Sequence, residues 1–245
     1  MELPMFYGNS VDRTRKMMHL YDSALKEINT KLEIINNEFK INNQYNPIEH
    51  ITSRIKSPQS IEKKMRRYGK DLTLDNVMEY CNDMAGIRII CSFTSDIYRI
   101  ADLLAKQDDI KVIKVKDYIA CPKPNGYSSY HMIVSVPVYL SDRAVETKVE
   151  IQIRTIAMDF WASLEHKIYY KYEGNAPANI RKELKECADI VSYLDRKMLS
   201  INEELKEFKR DEVLAEYKEV TEEIAEVFSD DDNEDSQVDF VTSLY

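Results

Sequence analysis

The chain has 245 residues, 44% hydrophobic and 31% charged, enough for one catalytic domain with helical additions or for two small domains. It contains no run of 18 or more apolar residues, which excludes a membrane-spanning helix, and its start, MELPMFYGNS, lacks the basic and apolar regions of a secretory signal. Its four cysteines, Cys81, Cys91, Cys121 and Cys187, are scattered and the histidines do not cluster; this argues against a zinc site or a disulfide framework and for a reducing cytoplasm.

The formal net charge of −9 is unevenly spread. Residues 201–245 carry 16 acidic and 4 basic side chains, a net of −12, which leaves +3 for residues 1–200. A mildly basic body therefore precedes an acidic tail.

In chain order, Met18, Tyr21, Leu25, Ile28, Leu32, Ile35 and Phe39 recur at steps of three and four, predicting a long amphipathic helix that the Asn-rich stretch 36–46 and Pro47 end. Alternation over 51–56 predicts a strand, and Ser57–Pro58 a helix cap and first turn opening a helix over 59–67. A strand at 86–91, a helix at 95–107 and strands at 110–117, 129–136 and 146–154 follow. Strands interspersed with helices predict an α/β (α+β) fold, a mixed sheet of about five strands flanked by helices. A helix over 156–170 and a loop at 174–177 come next. Ile180, Leu184, Cys187, Val191, Leu194, Met198, Ile201, Leu205 and Phe208 then keep an unbroken 4-3 spacing, and a further helix spans about 211–228. Ser229–Asp235 (SDDDNED) is too charged to fold.

Three segments carry groups suited to chemistry. In 146–154, Val149, Ile151 and Ile153 alternate with Lys148, Glu150, Gln152 and Arg154, so one face packs and the other presents polar groups. Asp83 precedes the strand that bears Arg88. Two carboxylates from neighbouring strands can hold Mg²⁺, which takes one or two protein carboxylates and completes its shell with phosphates. In the second segment, Arg54 and Lys56 lie on a strand, and Ser60 and Lys64 lie one turn apart near a helix N-terminus, where the dipole favours phosphate. Arg54–Lys70 holds seven Lys/Arg and one acid, Glu62, which fits a solvated helix face and also suits a polyphosphate. It lacks the glycines and GK[ST] ending of a P-loop. The third, KDYIACPKPNGYSSYH over 116–131, ends in an Asn-Gly hairpin signal and packs Lys116, Lys123, Tyr127 and His131 into sixteen residues; lysines meet phosphates and aromatic rings stack on bases.

In series, RxKxxxSxxxK, DxxGxR, KDYIxxPKPNGYxSxH and VEIQIRT leading into MDFWASLEHKxxYK span about residues 50–172, and this array resembles the synthetase domain of RelA/SpoT homologues. None of His19, His50, His131 and His166 is followed by Asp, so the signature of the linked hydrolase is lacking, and the chain is similar to the small, synthetase-only branch (the RelQ and RelP group). The resemblance implies a GTP pyrophosphokinase that moves pyrophosphate from ATP to the 3′-hydroxyl of GDP or GTP (GMP is a further acceptor to consider), in the cytoplasm, with Mg²⁺ as cofactor. By position, Arg54 and Arg88 would clamp the adenine, and Lys56, Ser60 and Lys64 would bind the ATP phosphates. Asp83 and Glu150 would hold Mg²⁺, Glu150 also being placed to accept the 3′-hydroxyl proton. Tyr127 would stack on guanine, with Lys116, Lys123, Asn125, His131 and Gln152 holding the acceptor.

The domain plan expected is an N-terminal helical region over 1–46, a catalytic domain over 47–172, a helical oligomerisation region over 173–228 and an acidic, disordered tail over 229–245. Narrow apolar seams on the first and last helices suit helix against helix, either within one chain or between chains, and with the resemblance they imply a homotetramer. Two alternatives stand beside this reading: a module or regulator site for single-stranded RNA, which would need neither Asp83 nor Glu150, and a different nucleotidyltransferase on a similar sheet.

Overall fold

The computed structural model of the chain describes residues 9–42, 45–171 and 176–230. Two compact units divide it, Met1–Leu199 and Ser200–Tyr245.

The first unit is built on five strands: β1 (Ile48–Ile55), β2 (Ala85–Cys91), β3 (Lys111–Asp117), β4 (Tyr130–Tyr139) and β5 (Ala144–Thr155). Their order across the sheet is β1-β2-β5-β4-β3. The β2/β5 pair is parallel and the other three pairs are antiparallel, so the sheet is mixed as predicted. Ile87, Ile89, Val149, Ile151, Ile153, Met132 and Val134 project to one face and are almost fully buried. Two helices, α1 (Asn9–Ile41) and α4 (Thr94–Ala105), share that core. At about 25 cal/mol per Å² of apolar surface, burial on this face is the main term holding the unit together.

The α1 stripe does not form a helix–helix seam. Met17, Tyr21, Ala24, Leu25, Ile28, Leu32, Ile35 and Phe39 are buried, and α1 packs on β1, β2, β4 and β5. The broad apolar face of the sheet needs a cover, and Met17 and Ala24 widen the narrow seam enough to serve as one.

Two short helices join β1 to β2. Ser57 caps α2 (Pro58–Arg67), its Oγ accepting the Ser60 amide at 3.3 Å, with Pro58 in the first turn. The seven-residue α3 (Leu74–Tyr80), absent from the sequence reading, is capped by Thr73, whose Oγ1 accepts the Asn76 amide at 3.2 Å. After β5, the Thr155 Oγ1 accepts the Met158 amide at 3.1 Å and starts α5 (Ile156–Lys171) directly.

The last helix, α6, runs Ala178–Asp230, so the separate helix expected over 211–228 is its continuation. Within the first unit, Ala188 of α6 is buried, whereas Leu194 and Met198 are 50% and 49% exposed. The described part of the second unit is helical and exposes Leu205, Phe208, Val213, Leu214 and Tyr217. The expected loop at 174–177 and the acidic tail fall largely outside the described residues.

Candidate active site

The sheet face opposite α1 is polar because the alternate residues of each strand are polar, and the register lines them up. Thr52, Arg88, Gln152, His131 and Lys116 form one row across all five strands. The neighbouring row is Arg54, Gly86, Glu150, Ile133 and Lys114. Gly86 lies directly between Arg54 and Glu150, and a Cβ added there would meet only the Arg54 carbonyl oxygen, at 3.8 Å. The missing side chain leaves open floor in a cleft lined by Thr52, Arg54, Lys56, Asp83, Arg88, Glu150 and Gln152.

At one end, three elements converge on Asp83. Lys56, just past β1, donates to Oδ2 at 2.7 Å, and Lys64 of α2 donates to Oδ1 at 2.6 Å. The Cys81 thiol donates to Oδ1 at 3.2 Å, a contact the sequence reading missed. Burial works to raise the Asp83 pKa, but the two ammonium groups outweigh it and hold the carboxyl well below the usual range. Burial, then Asp83, push the Cys81 thiol up to about 12, so it stays a neutral donor.

Glu150 is likewise kept ionised: burial opposes this, but hydrogen bonds and charge from His131 and an amide from Gln152 lower its pKa. The His131 Nδ1 is 3.4 Å from Glu150 Oε1, and Gln152 Nε2 donates to Oε2 at 3.0 Å. Nε2 of His131 meets the Tyr127 hydroxyl at 2.8 Å. Lys123 lies 4.5 Å from the Tyr127 ring centroid and 4.6 Å from that of Tyr118. Burial, then the charge of Lys116, lower the Lys123 pKa. The structure therefore brings Tyr127, His131, Lys123 and Lys116 to the Glu150 side of the sheet.

Two predicted residues stand apart. Asn125 accepts the Tyr127 amide and donates to Glu165 of α5 at 3.2 Å, which places it in the loop's turn, against α5 and away from the cleft. Ser60 is exposed, and its Oγ accepts from the Ser57 hydroxyl at 2.8 Å.

Arg154 and Asp159 are the residues the sequence reading left without a role. Arg154 is almost wholly buried; its Nη2 donates to the Tyr127 hydroxyl at 2.6 Å and to Gln152 Oε1 at 3.0 Å, and its Nη1 donates to Asp159 at 2.9 Å. Their only signal was position, at the two sides of the junction between β5 and α5.

Comparison with known proteins supplies the family. A family model described as a region found in RelA/SpoT proteins matches residues 53–175. The chain belongs to the RelA/SpoT family. GTP pyrophosphokinase YwaC of Bacillus subtilis is 52% identical over 186 residues, covering 76% of this chain and 89% of that protein. Among solved structures, small alarmone synthetase 2 from Bacillus subtilis superposes with a TM-score of 0.71 at 50% identity, over 78% of this chain and 98% of that one. Small alarmone synthetase 1 from the same organism, bound to its product pppGpp, gives 0.73 at 36% identity, over 78% and 97%.

Proposed function

We propose that the chain is a small alarmone synthetase, a GTP pyrophosphokinase that transfers the β,γ-pyrophosphate of ATP to the 3′-hydroxyl of GDP or GTP and releases AMP. The observation that carries this reading is the pairing of Asp83 and Glu150, two carboxylates held ionised in one cleft rimmed by Arg54, Lys56, Lys64 and Arg88. A polyphosphate donor needs several fixed cations, and a hydroxyl nucleophile needs an ionised acceptor for its proton.

In this reading, Arg54 and Arg88 stack on the adenine through their planar guanidinium groups. Lys56 and Lys64, now paired to Asp83, turn to the arriving phosphates, and Ser60, which stands apart from the cleft, joins them only if the phosphates extend to the N-terminus of α2. On the other side, Tyr127 stacks on guanine, while Lys116, Lys123, His131 and Gln152 hold the acceptor; Asn125 supports the loop from its turn. The 3′-oxygen attacks the β-phosphorus in line, its proton passes to Glu150, and the bond from the β-phosphorus to the α-phosphate bridging oxygen breaks. His131 and Gln152 fix the orientation of Glu150, and the depressed pKa makes it a weak base, so much of its work is alignment of the hydroxyl.

The donor set also fits a divalent cation. Asp83 and Glu150 are ionised oxygen ligands on one cleft, and Mg²⁺ takes one or two protein carboxylates and completes its shell with nucleotide phosphates. When bound there it would neutralise charge on the transferred pyrophosphate.

For assembly, the exposed Leu194 and Met198, and Leu205 and Phe208 farther along α6, support a homotetramer in which these helices form the repeated interface. Among the described residues no helix is long and apolar enough to cross a membrane, and a cytoplasmic location is part of this reading. Single-stranded RNA as a regulator would use the same basic face. The test is incubation with ATP, Mg²⁺ and GTP, GDP or GMP in turn; AMP and a 3′-pyrophosphorylated guanosine nucleotide should appear together. A protein that binds RNA tightly but makes no AMP would favour the RNA reading.

A further inference from the structure

Asp159 stands where the two nucleotide subsites meet. It lies in the first turn of α5, immediately after β5 ends at Thr155. From there its Oδ1 reaches two guanidinium groups at once, Nη1 of Arg88 at 3.2 Å and Nη1 of Arg154 at 2.9 Å. These arginines repel: the charge of Arg154, with burial the larger cause, lowers the Arg88 pKa. Among the described residues Arg88 Nε is buried without a hydrogen-bond partner, and the Asp159 carboxylate gives this guanidinium its ion pair. Arg154 in turn holds the Tyr127 hydroxyl, and Tyr127 meets His131, which faces Glu150. One carboxylate oxygen therefore anchors a chain of contacts that begins at the adenine clamp and ends at the acceptor side.

We infer that Asp159 is a positioning residue that sets both subsites together, aligning Arg88 for ATP and, through Arg154, Tyr127 for the guanosine nucleotide. This rests on the assignment of Arg88 to ATP and Tyr127 to the acceptor. Without the shared carboxylate the two arginines move apart, Arg88 loses its anchor, and Arg154 no longer holds the Tyr127 ring from a fixed point. Both substrates then meet loosened partners, while the charges of Asp83 and Glu150 are unchanged.

The test is steady-state kinetics of Asp159→Asn with each substrate varied in turn, beside Arg88→Ala and Tyr127→Ala. Arg88→Ala should raise the ATP KM selectively, and Tyr127→Ala the acceptor KM selectively. Asp159→Asn should raise both, each by about ten-fold, for the lost ion pair to Arg88 and the lost charge-assisted hydrogen bond from Arg154, with kcat changed less than either KM. A merely structural role would lower the thermal midpoint and the active fraction and leave both KM values in place, and that result overturns the inference. So does a rise in one KM alone. If Arg88→Ala and Tyr127→Ala fail to separate the substrates, the assignment beneath the inference falls, and the inference with it. Asp159→Glu keeps the charge and displaces the oxygens, and serves if the Asn variant does not fold: a smaller rise in both KM values supports the role, and a rise in one or neither refutes it.

Discussion

At Asp83, two ammonium groups and a thiol surround one carboxylate, and at Glu150 a histidine and an amide do the same. Both groups lie on the polar face or its edge, so replacing them with amides removes charge without opening the core. Asp83→Asn and Glu150→Gln should therefore retain wild-type far-ultraviolet circular dichroism and lose at least about a hundred-fold in kcat, the scale of a deleted electrostatic group in an active site. Wild-type turnover in either variant would remove the two-carboxylate account. The facing of Glu150 was legible in the sequence because a strand alternates: once 146–154 is read as a strand with Val149, Ile151 and Ile153 inward, Glu150 and Gln152 must face the other way. Asp159 was not legible. Its meaning depends on Arg88, distant in sequence and on another strand, and only the β2/β5 register and the tight junction into α5 bring them together.

At the scale of the element, the loop around Gly126, proposed to hold the acceptor, is seated on α6. Gly126 has φ of +87°, its amide donates to the Lys123 carbonyl at 2.8 Å, and a Cβ there would fall 2.4 Å from the Cβ of Ala188. Both the left-handed backbone and the close approach require glycine. Gly126→Ala should push the loop off α6 and raise the acceptor KM several-fold while the ATP KM holds, measured by the same kinetics; an unchanged acceptor KM would show that the seat of the loop on α6 does not matter. The Asn-Gly turn was readable from the sequence, but its contact with α6 was not, since nothing local encodes a partner 62 positions away. The same limit explains α1. Its spacing identified a buried stripe correctly, yet a stripe does not name its partner, and the partner is the sheet. The short α3 escaped notice because seven residues give too little periodicity to read; only its Thr73 cap marked it.

For the whole molecule, the prediction concerns the exposed apolar residues of α6, on which the proposed assembly rests. Leu194 and Met198 are half exposed in the single chain, so charges there do not enter its core, but they would be buried unpaired in an assembly built on this helix. The double variant Leu194→Glu/Met198→Glu should leave the chain folded and convert a particle of four times 28.7 kDa into smaller species by light scattering. A wild-type monomer at micromolar concentration with full activity would refute the tetramer, and a variant that stays tetrameric would refute the interface on α6.

The central claim is that pyrophosphate moves intact from ATP to a guanosine 3′-oxygen. Incubation with ATP labelled at the β-phosphorus, Mg²⁺ and GDP tests it most directly. The account predicts AMP without label, formed one for one with a guanosine nucleotide that carries the label on its 3′-pyrophosphate, and no product from Glu150→Gln. Labelled ADP with a 3′-monophosphate, or labelled inorganic pyrophosphate with no modified guanosine nucleotide, would contradict it.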